Sequence, residues 1–163
     1  MTNSNLPAAV VGNLAVVAGA QQYVSFMIGD QSFGIPVLQV HDVLGPQRIT
    51  RIPLSPPEIA GSLNLRGRIV TAIQARCRLG LDPLPADAET MSIVVEHGGE
   101  LYSLIVDSVG EVLTLEARDF ESHPPTMAPV IRDVSNGIYR LNDSLLIVLE
   151  VPRFLDFVRA EAA

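Results

Sequence analysis

The sequence contains no lysine, no tryptophan and a single cysteine among its 163 residues. One cysteine, Cys77, cannot form an internal disulfide, so a reducing compartment is the default, and we interpret Cys77 as a small apolar residue on a helix. No run of about 18 apolar residues occurs, and we therefore expect no membrane-spanning segment.

The apolar N-terminal segment also lacks the basic residues that a secretory signal needs, because no Lys or Arg precedes Arg48. Asn13 interrupts its apolar stretch as well. We predict that residues 1–20 form a flexible tail and that residues 21–163 form a single domain. A domain of this length can bury enough surface to fold without metal or disulfide staples.

The signatures of common enzymes are missing too. There is no G-x-S-x-G elbow, no P-loop, no H-E-x-x-H and no C-x-x-C, and the three histidines (His41, His97, His123) lie far apart in the sequence. A pI near 4.8 and 5% aromatic residues argue against a nucleic-acid partner. These absences favour a non-catalytic adaptor. A small hydrolase or ligand-binding barrel stays open, and it would need a deep pocket where His and carboxylate groups converge.

Charge is distributed unevenly along the chain. All eleven basic residues are arginine; six lie between Arg48 and Arg78, where Glu58 is the only acid. From Asp82 to Glu121 there are ten acids and one basic residue. One explanation is that the charged residues form ordinary solvent-exposed faces and that codon bias favours arginine. The other is that the protein is a scaffold that presents opposite charges to different partners.

Short apolar segments bounded by Gly, Asp or Pro predict a chain made mainly of strands. We expect hairpins about Gly29-Asp30, Arg66-Gly67, Gly98-Gly99 and Asn142-Asp143, and a further strand at "VGEVLTL". Helical spacing is confined to "PPEIAGS", "QARCRLG" and the C-terminal "VPRFLDFVRAEA", in which Phe154, Leu155 and Val158 form an apolar stripe.

An internal repeat is also visible. A shift of 69 residues places Phe33–Leu44 on Tyr102–Leu113, and a shift of 76 places Leu65–Ala75 on Leu141–Val151. The same order of hairpin, third strand, second hairpin and short helix is thus used twice. We predict two small barrels of about five strands each, since closure removes exposed sheet edges.

Four ordered blocks carry a resemblance to a known family. They are "YVSFMIGDQSFGIPVLQVHDVL", "RITRIPLSPPEIAGSLNLRGRIVTAI", "MSIVVEHGGELYSLIVDSVGEVLTL" and "NGIYRLNDSLLIVLEVPRFL". The chain resembles the CheW family, the coupling proteins of bacterial chemotaxis, from about Gln22 to Phe157. The Asn-Leu-Arg-Gly of the second block is the most specific part of the match.

The resemblance implies an all-β fold with short helices, in which two intertwined five-stranded, SH3-like barrels precede a C-terminal helix. It implies a non-catalytic scaffold without cofactor or metal that bridges transmembrane chemoreceptors and the regulatory domain of the chemotaxis histidine kinase. Such a protein would be a monomer in isolation, would lie in the cytoplasm at the inner face of the membrane through receptor arrays, and would not insert into the membrane. A same-fold adaptor that serves another kinase or limits array assembly is the alternative.

The resemblance also implies binding positions. Those facing the receptor are Asn64, Arg66, Gly67, Met91 and Val112, and those on the kinase side are Val40, Asp42 and Gly61. Asp42 is placed to pair with Arg66. Arg66 could instead be a solvated turn residue, and the four apolar or glycine positions, Val40, Gly61, Met91 and Val112, could serve the core.

Two positions depart from the family pattern. Thr71 stands where the family commonly has proline, so this strand could pair differently. Gln74 stands where the family has a carboxylate, which removes a potential partner for nearby arginines.

Overall fold

The computed structural model describes residues 19–157, which form eleven strands and several single-turn helices. The strands are β1 (Ala20–Ile28), β2 (Gln31–Pro36), β3 (Val40–Leu44), β4 (Ile59–Leu65), β5 (Arg68–Gln74), β6 (Met91–His97), β7 (Glu100–Val106), β8 (Ser108–Glu116), β9 (Phe120–Glu121), β10 (Ser135–Arg140) and β11 (Leu145–Leu149). The α-helices are α1 (Ala75–Arg78), α2 (Pro129–Asp133) and α3 (Val151–Phe154), and 3₁₀ turns cover Val37–Gln39 and Ala117–Asp119. Within this part of the chain no helix is both long and apolar enough to cross a membrane.

The four predicted hairpins are confirmed: β1 pairs with β2, β4 with β5, β6 with β7 and β10 with β11. The helix predicted at "PPEIAGS" is wrong, because Ile59 begins β4 and pairs with Ile73 of β5. The two prolines only shape a turn there, closed by the Ile59 amide donating to the Pro56 carbonyl at 3.0 Å. Tertiary pairing overrides a helical spacing that is too short to stand alone.

The C-terminal helix begins at Val151, with Pro152 in its first turn. Phe154 and Leu155 are buried, as the predicted stripe requires. Val158 and most of the predicted tail (all of residues 1–20 except Gly19 and Ala20) lie outside the described residues. Ala20 is the first residue of β1.

The strand order confirms the internal repeat and shows how the repeats interlock. Sheet A has six strands in the order β8-β1-β2-β11-β10-β9, and sheet B has five in the order β3-β6-β7-β5-β4. Under the two shifts, β1, β2, β11 and β10 correspond to β6, β7, β5 and β4. Each sheet combines the first hairpin of one repeat with the third strand and the second hairpin of the other. Sheet A joins β1–β2 to β8 and β10–β11, and sheet B joins β6–β7 to β3 and β4–β5.

Residues 19–157 form three apolar clusters. The main core lies between the sheets and draws on both, for example Phe26 and Phe33 from sheet A and Ile93 and Leu104 from sheet B. Each sheet also encloses a small cluster of its own, which shows that it curls on itself. The two small clusters use equivalent repeat positions: Leu44, Leu63, Leu65, Val70 and Ala72 in sheet B, and Leu113, Tyr139, Leu141, Leu146 and Val148 in sheet A.

The barrels are more open than the predicted closed ones. The end strands β3 and β4 of sheet B are not hydrogen-bonded to each other, nor are β8 and β9 of sheet A. Sheet A also gains a short sixth strand, β9, which pairs with Ile138 and Tyr139 of β10. The isolated bridge between Thr50 and Ser62 occupies the corresponding place beside β4.

Candidate functional site

The tip of the β4–β5 hairpin is a two-residue turn made by Arg66 and Gly67. Leu65 and Arg68 close it, and both turn residues have positive φ, 52° and 88°. These are the angles of a type I′ turn, which normally takes Asn-Gly or Gly-Gly. The Asn64 side-chain oxygen accepts a hydrogen bond from the Gly67 amide at 3.0 Å. Arginine is thus held in a left-handed conformation that its side chain does not favour.

The Arg66 guanidinium pairs with Asp42, as predicted. Its Nη2 lies 2.9 Å from Oδ2 of Asp42, and the Arg66 side chain is 71% exposed whereas that of Asp42 is 24% exposed. The other carboxylate oxygen of Asp42 accepts a hydrogen bond from the Val43 amide at 2.8 Å. The hydrogen bond from Arg66, followed by the one from Val43, lowers the pKa of Asp42. A charged turn residue is therefore anchored while most of its surface stays open to a partner.

The remaining residues predicted to face the receptor lie away from this turn. Met91 pairs with Val106 at the end of sheet B opposite to the turn, and it is half-buried against the main core. Val112 pairs with Val24, a main-core residue, so its side chain lies on the face of sheet A that meets sheet B. It is nevertheless 52% exposed, because β8 is an edge strand.

The kinase-side position Val40 lies at the start of β3, paired with Val95 and half-buried against the main core. It lines a shallow cavity of about 390 Å³. The same cavity is lined by Leu38, His41, Glu96, His97 and Glu150. No side-chain hydrogen bond joins the histidines and carboxylates described there, so the cavity contains no preformed acid–base pair.

Gly61 is buried and cannot offer a side chain to a partner. It sits at a β-bulge in β4 with φ of 149°. A Cβ atom at this position would collide with the Thr50 carbonyl and would lie 2.7 Å from the Ile49 side chain. Its repeat equivalent, Gly137, stands at the bulge of β10 and meets the Glu121 carbonyl in the same way.

An ion pair fixes α1 to the corner between β7 and β8. Arg76 donates to both carboxylate oxygens of Asp107, at 2.9 and 2.8 Å, and Asp107 also accepts from the Gly29 amide at 2.9 Å. The hydrogen bond from Arg76 is the main cause of the lowered pKa of Asp107. Arg76 thus has a carboxylate partner although Gln74 is uncharged.

Thr71 causes no break in pairing, since it pairs with Ser62 on one side and Tyr102 on the other. Among the described residues, no group of three or more His, Cys, Asp or Glu side chains is arranged to hold a metal ion.

The three most exposed large apolar residues were not predicted from the sequence. They are Leu38, Leu54 and Ile69, which are 83%, 104% and 71% exposed. Leu54 also has a positive φ of 64°. The preceding Pro53 could have indicated a turn, but nothing in the sequence distinguishes a leucine that packs from one that protrudes.

Comparison with known proteins gives a consistent result. A family model described as "CheW-like domain" matches residues 22–159. The chain is 30% identical over 147 residues to the chemotaxis protein CheW of Klebsiella aerogenes, covering 90% of this chain and 89% of that protein. It is 29% identical over 134 residues to the CheW of Helicobacter pylori, covering 82% and 81%. The crystal structure of the scaffolding protein TtCheW from Thermoanaerobacter tengcongensis superposes with a TM-score of 0.72 at 30% identity, over 79% of this chain and 88% of that one.

Proposed function

This chain belongs to the CheW-like family and is a non-catalytic coupling scaffold of bacterial chemotaxis, and on that premise we propose that it links transmembrane chemoreceptors to the regulatory domain of the chemotaxis histidine kinase. The proposal places it in the cytoplasm, at the inner face of the membrane through receptor arrays.

The observation that carries the receptor side of the proposal is the conformation of Arg66. A type I′ turn is more stable with asparagine at this position, so an arginine with φ of 52° costs about 1 kcal/mol. Residues held in such conformations tend to serve function. Because Asp42 engages one edge of the guanidinium, donors remain for a carboxylate on a receptor helix.

The receptor would bind as a helix in a groove. Its amphipathic helical hairpin would lie against the apolar edge marked by Val112 and Met91 and reach Asn64, Arg66 and Gly67 at the turn. The kinase side would use Val40, Asp42 and Gly61, the last through the segment Ile49–Thr50 that packs against it. Binding of the two partners would shift the populations of kinase-on and kinase-off arrangements, and no cofactor takes part.

A three-component pull-down tests the proposal. Purified protein is mixed with the kinase regulatory domain and the cytoplasmic fragment of a receptor, with Arg66→Glu as the comparison. We expect the wild type to retain both partners and the variant to lose the receptor while keeping the kinase domain. If the folded wild type retains neither partner, the proposed coupling is wrong for this chain.

A further inference from the structure

The position of Gly61 raises a question about the kinase-side surface, because a buried glycine cannot itself contact a partner. We propose that the contact is made by the neighbouring turn Ile52–Ser55, with Leu54 as its apolar anchor, and that Gly61 acts by positioning this turn. The inference rests on the proposed function, since it names the surface that meets the kinase regulatory domain.

The turn is built to hold Leu54 outward. The amide and the hydroxyl of Ser55 both donate to the Ile52 carbonyl, at 3.3 and 2.8 Å. Pro53 occupies the second position of the turn and Leu54 the third, with φ of 64°. This is the pattern of a type II turn, whose third position usually takes glycine or asparagine.

Leucine at this position is unfavourable in the isolated protein for two reasons. A β-carbon strains the left-handed conformation, and the side chain is fully exposed at 104%. Both features are accounted for if the side chain enters a partner's pocket, since burial of a leucine contributes about 1.5–3 kcal/mol. Pro53 and Ser55 preform the turn, so little ordering is lost on binding.

Gly61 controls where this turn lies. The amide and carbonyl of Thr50 bond to Ser62, each at 2.8 Å, and seat the segment on β4 two residues before Ile52. A side chain at position 61 would meet the Thr50 carbonyl and the Ile49 side chain, so it would push this segment away from β4. The turn would move with it.

The surroundings of the turn indicate the chemistry of its partner. Arg48 and Arg51 are exposed beside it, Ile52 is 38% exposed, and no acid occurs from Gly45 to Pro57. The matching surface is an apolar pocket of leucine size with carboxylates on its rim. A protein surface fits better than an anionic membrane, because the chain as a whole carries a formal charge of −7.

The test separates stability from binding. Leu54→Asn removes the apolar side chain and favours the left-handed conformation, while Ile69→Asn makes the same change at another exposed apolar site. We expect Leu54→Asn to leave the melting temperature equal or higher, and to weaken binding of the kinase regulatory domain about tenfold or more in calorimetry. Receptor-fragment binding should not change, and Ile69→Asn should retain the kinase affinity. Gly61→Ala should lose kinase affinity together with stability.

Each alternative result is informative. Equal kinase affinity of the wild type and Leu54→Asn overturns the inference and leaves the coupling proposal standing. Failure of the wild type to bind the kinase domain overturns the coupling proposal itself. Leu54→Asn could instead keep the kinase affinity and abolish self-association in sedimentation, in which case the turn binds a second copy of the chain. It could also keep the kinase affinity and abolish binding to anionic phospholipid vesicles, in which case the turn binds a lipid surface. Either result shows that the inference is wrong. Undiminished kinase affinity in Gly61→Ala refutes the positioning role.

Discussion

The Arg66 guanidinium and the Asp42 carboxylate lie 2.9 Å apart, although they come from opposite edges of sheet B. Asp42 belongs to the edge strand β3, and Arg66 follows β4, the strand at the other edge. The ion pair therefore bridges the gap that backbone hydrogen bonds leave open in this barrel. It also orients Arg66, so one contact serves both the barrel and the proposed receptor surface.

Replacing Arg66 by asparagine separates these two roles. Asn-Gly is the preferred sequence of a type I′ turn, so Arg66→Asn relieves the backbone strain of the turn. This gain offsets the loss of the exposed ion pair, which contributes about 0–1 kcal/mol. We expect Arg66→Asn to keep the free energy of unfolding within about 1 kcal/mol of the wild type in urea titrations. Receptor binding in the same buffer should fall about tenfold or more.

The Arg66→Asn variant should also change the titration of Asp42. Its pKa is lowered first by the hydrogen bond from Arg66, so removal of the guanidinium should raise it toward the ordinary aspartate value. Carboxyl-carbon NMR titration of the two proteins measures this change. An unchanged pKa would mean that the two side chains are apart in solution.

The Arg76–Asp107 pair should make stability depend on acid pH. The pKa of Asp107 is lowered in the folded protein, so its ionised form stabilises the fold above the unfolded value of about 3.9, and this contribution is lost as the pH falls through the folded value. We expect Asp107→Asn to lower the free energy of unfolding by about 1–3 kcal/mol at pH 7 and to flatten its decline below about pH 4. Urea titrations at both pH values measure this; an equally steep decline in the variant would assign the acid sensitivity to other carboxylates.

The two bulge glycines should respond alike to substitution. A Cβ at Gly61 meets the Thr50 carbonyl, and one at Gly137 meets the Glu121 carbonyl. We expect Gly61→Ala and Gly137→Ala each to reduce the free energy of unfolding by about 2–4 kcal/mol. Gly45→Ala is the matched control, because a Cβ there has no neighbour within 4 Å. Tolerance of alanine at either bulge would show that the neighbouring strand can move aside at little cost.

Two buried serines should respond in opposite directions. The Ser103 hydroxyl has no hydrogen-bond partner among the described residues. The Ser135 hydroxyl donates to the Ile131 carbonyl at 2.7 Å and bonds His123 at 2.8 Å. We expect Ser103→Ala to raise the free energy of unfolding by about 1 kcal/mol, and Ser135→Ala to lower it by about 1–2 kcal/mol, in urea titrations. Destabilisation by Ser103→Ala would indicate that its hydroxyl has a partner in solution, such as a bound water.

Most of the fold could be predicted from the sequence because the two repeats have apolar residues at equivalent positions. Glycine pairs and apolar alternation mark the hairpins, and the shifts of 69 and 76 residues reveal the duplication. The mixing of both repeats in each sheet was accessible only through the family resemblance, since strand partners depend on contacts between residues far apart in the chain. The helix predicted near Ile59 failed for a related reason: pairing with β5 outweighs local spacing.

The candidate site was predictable only in part. The Arg66–Asp42 pairing is confirmed, but it came from the resemblance, as Asp42 and Arg66 are 24 residues apart with a long loop between them. The roles of Met91, Val112 and Val40 in binding stay predictions. The backbone conformations of Arg66 and Leu54 could not be read from the sequence, because neither residue type favours a positive φ.

The mixing of both repeats in each sheet has a consequence for how the chain is made. Sheet A needs β1 and β2 from the first half of the chain and β8 to β11 from the second, so an emerging N-terminal half cannot complete either barrel on the ribosome. Sheet B has all its strands once β7 ends at Val106, but the β1–β2 hairpin keeps an apolar face uncovered until β8 to β11 have been synthesised. Folding that depends on such distant partners is slow. Because of this interlocked architecture, the cell must therefore prevent the incomplete chain from aggregating during translation.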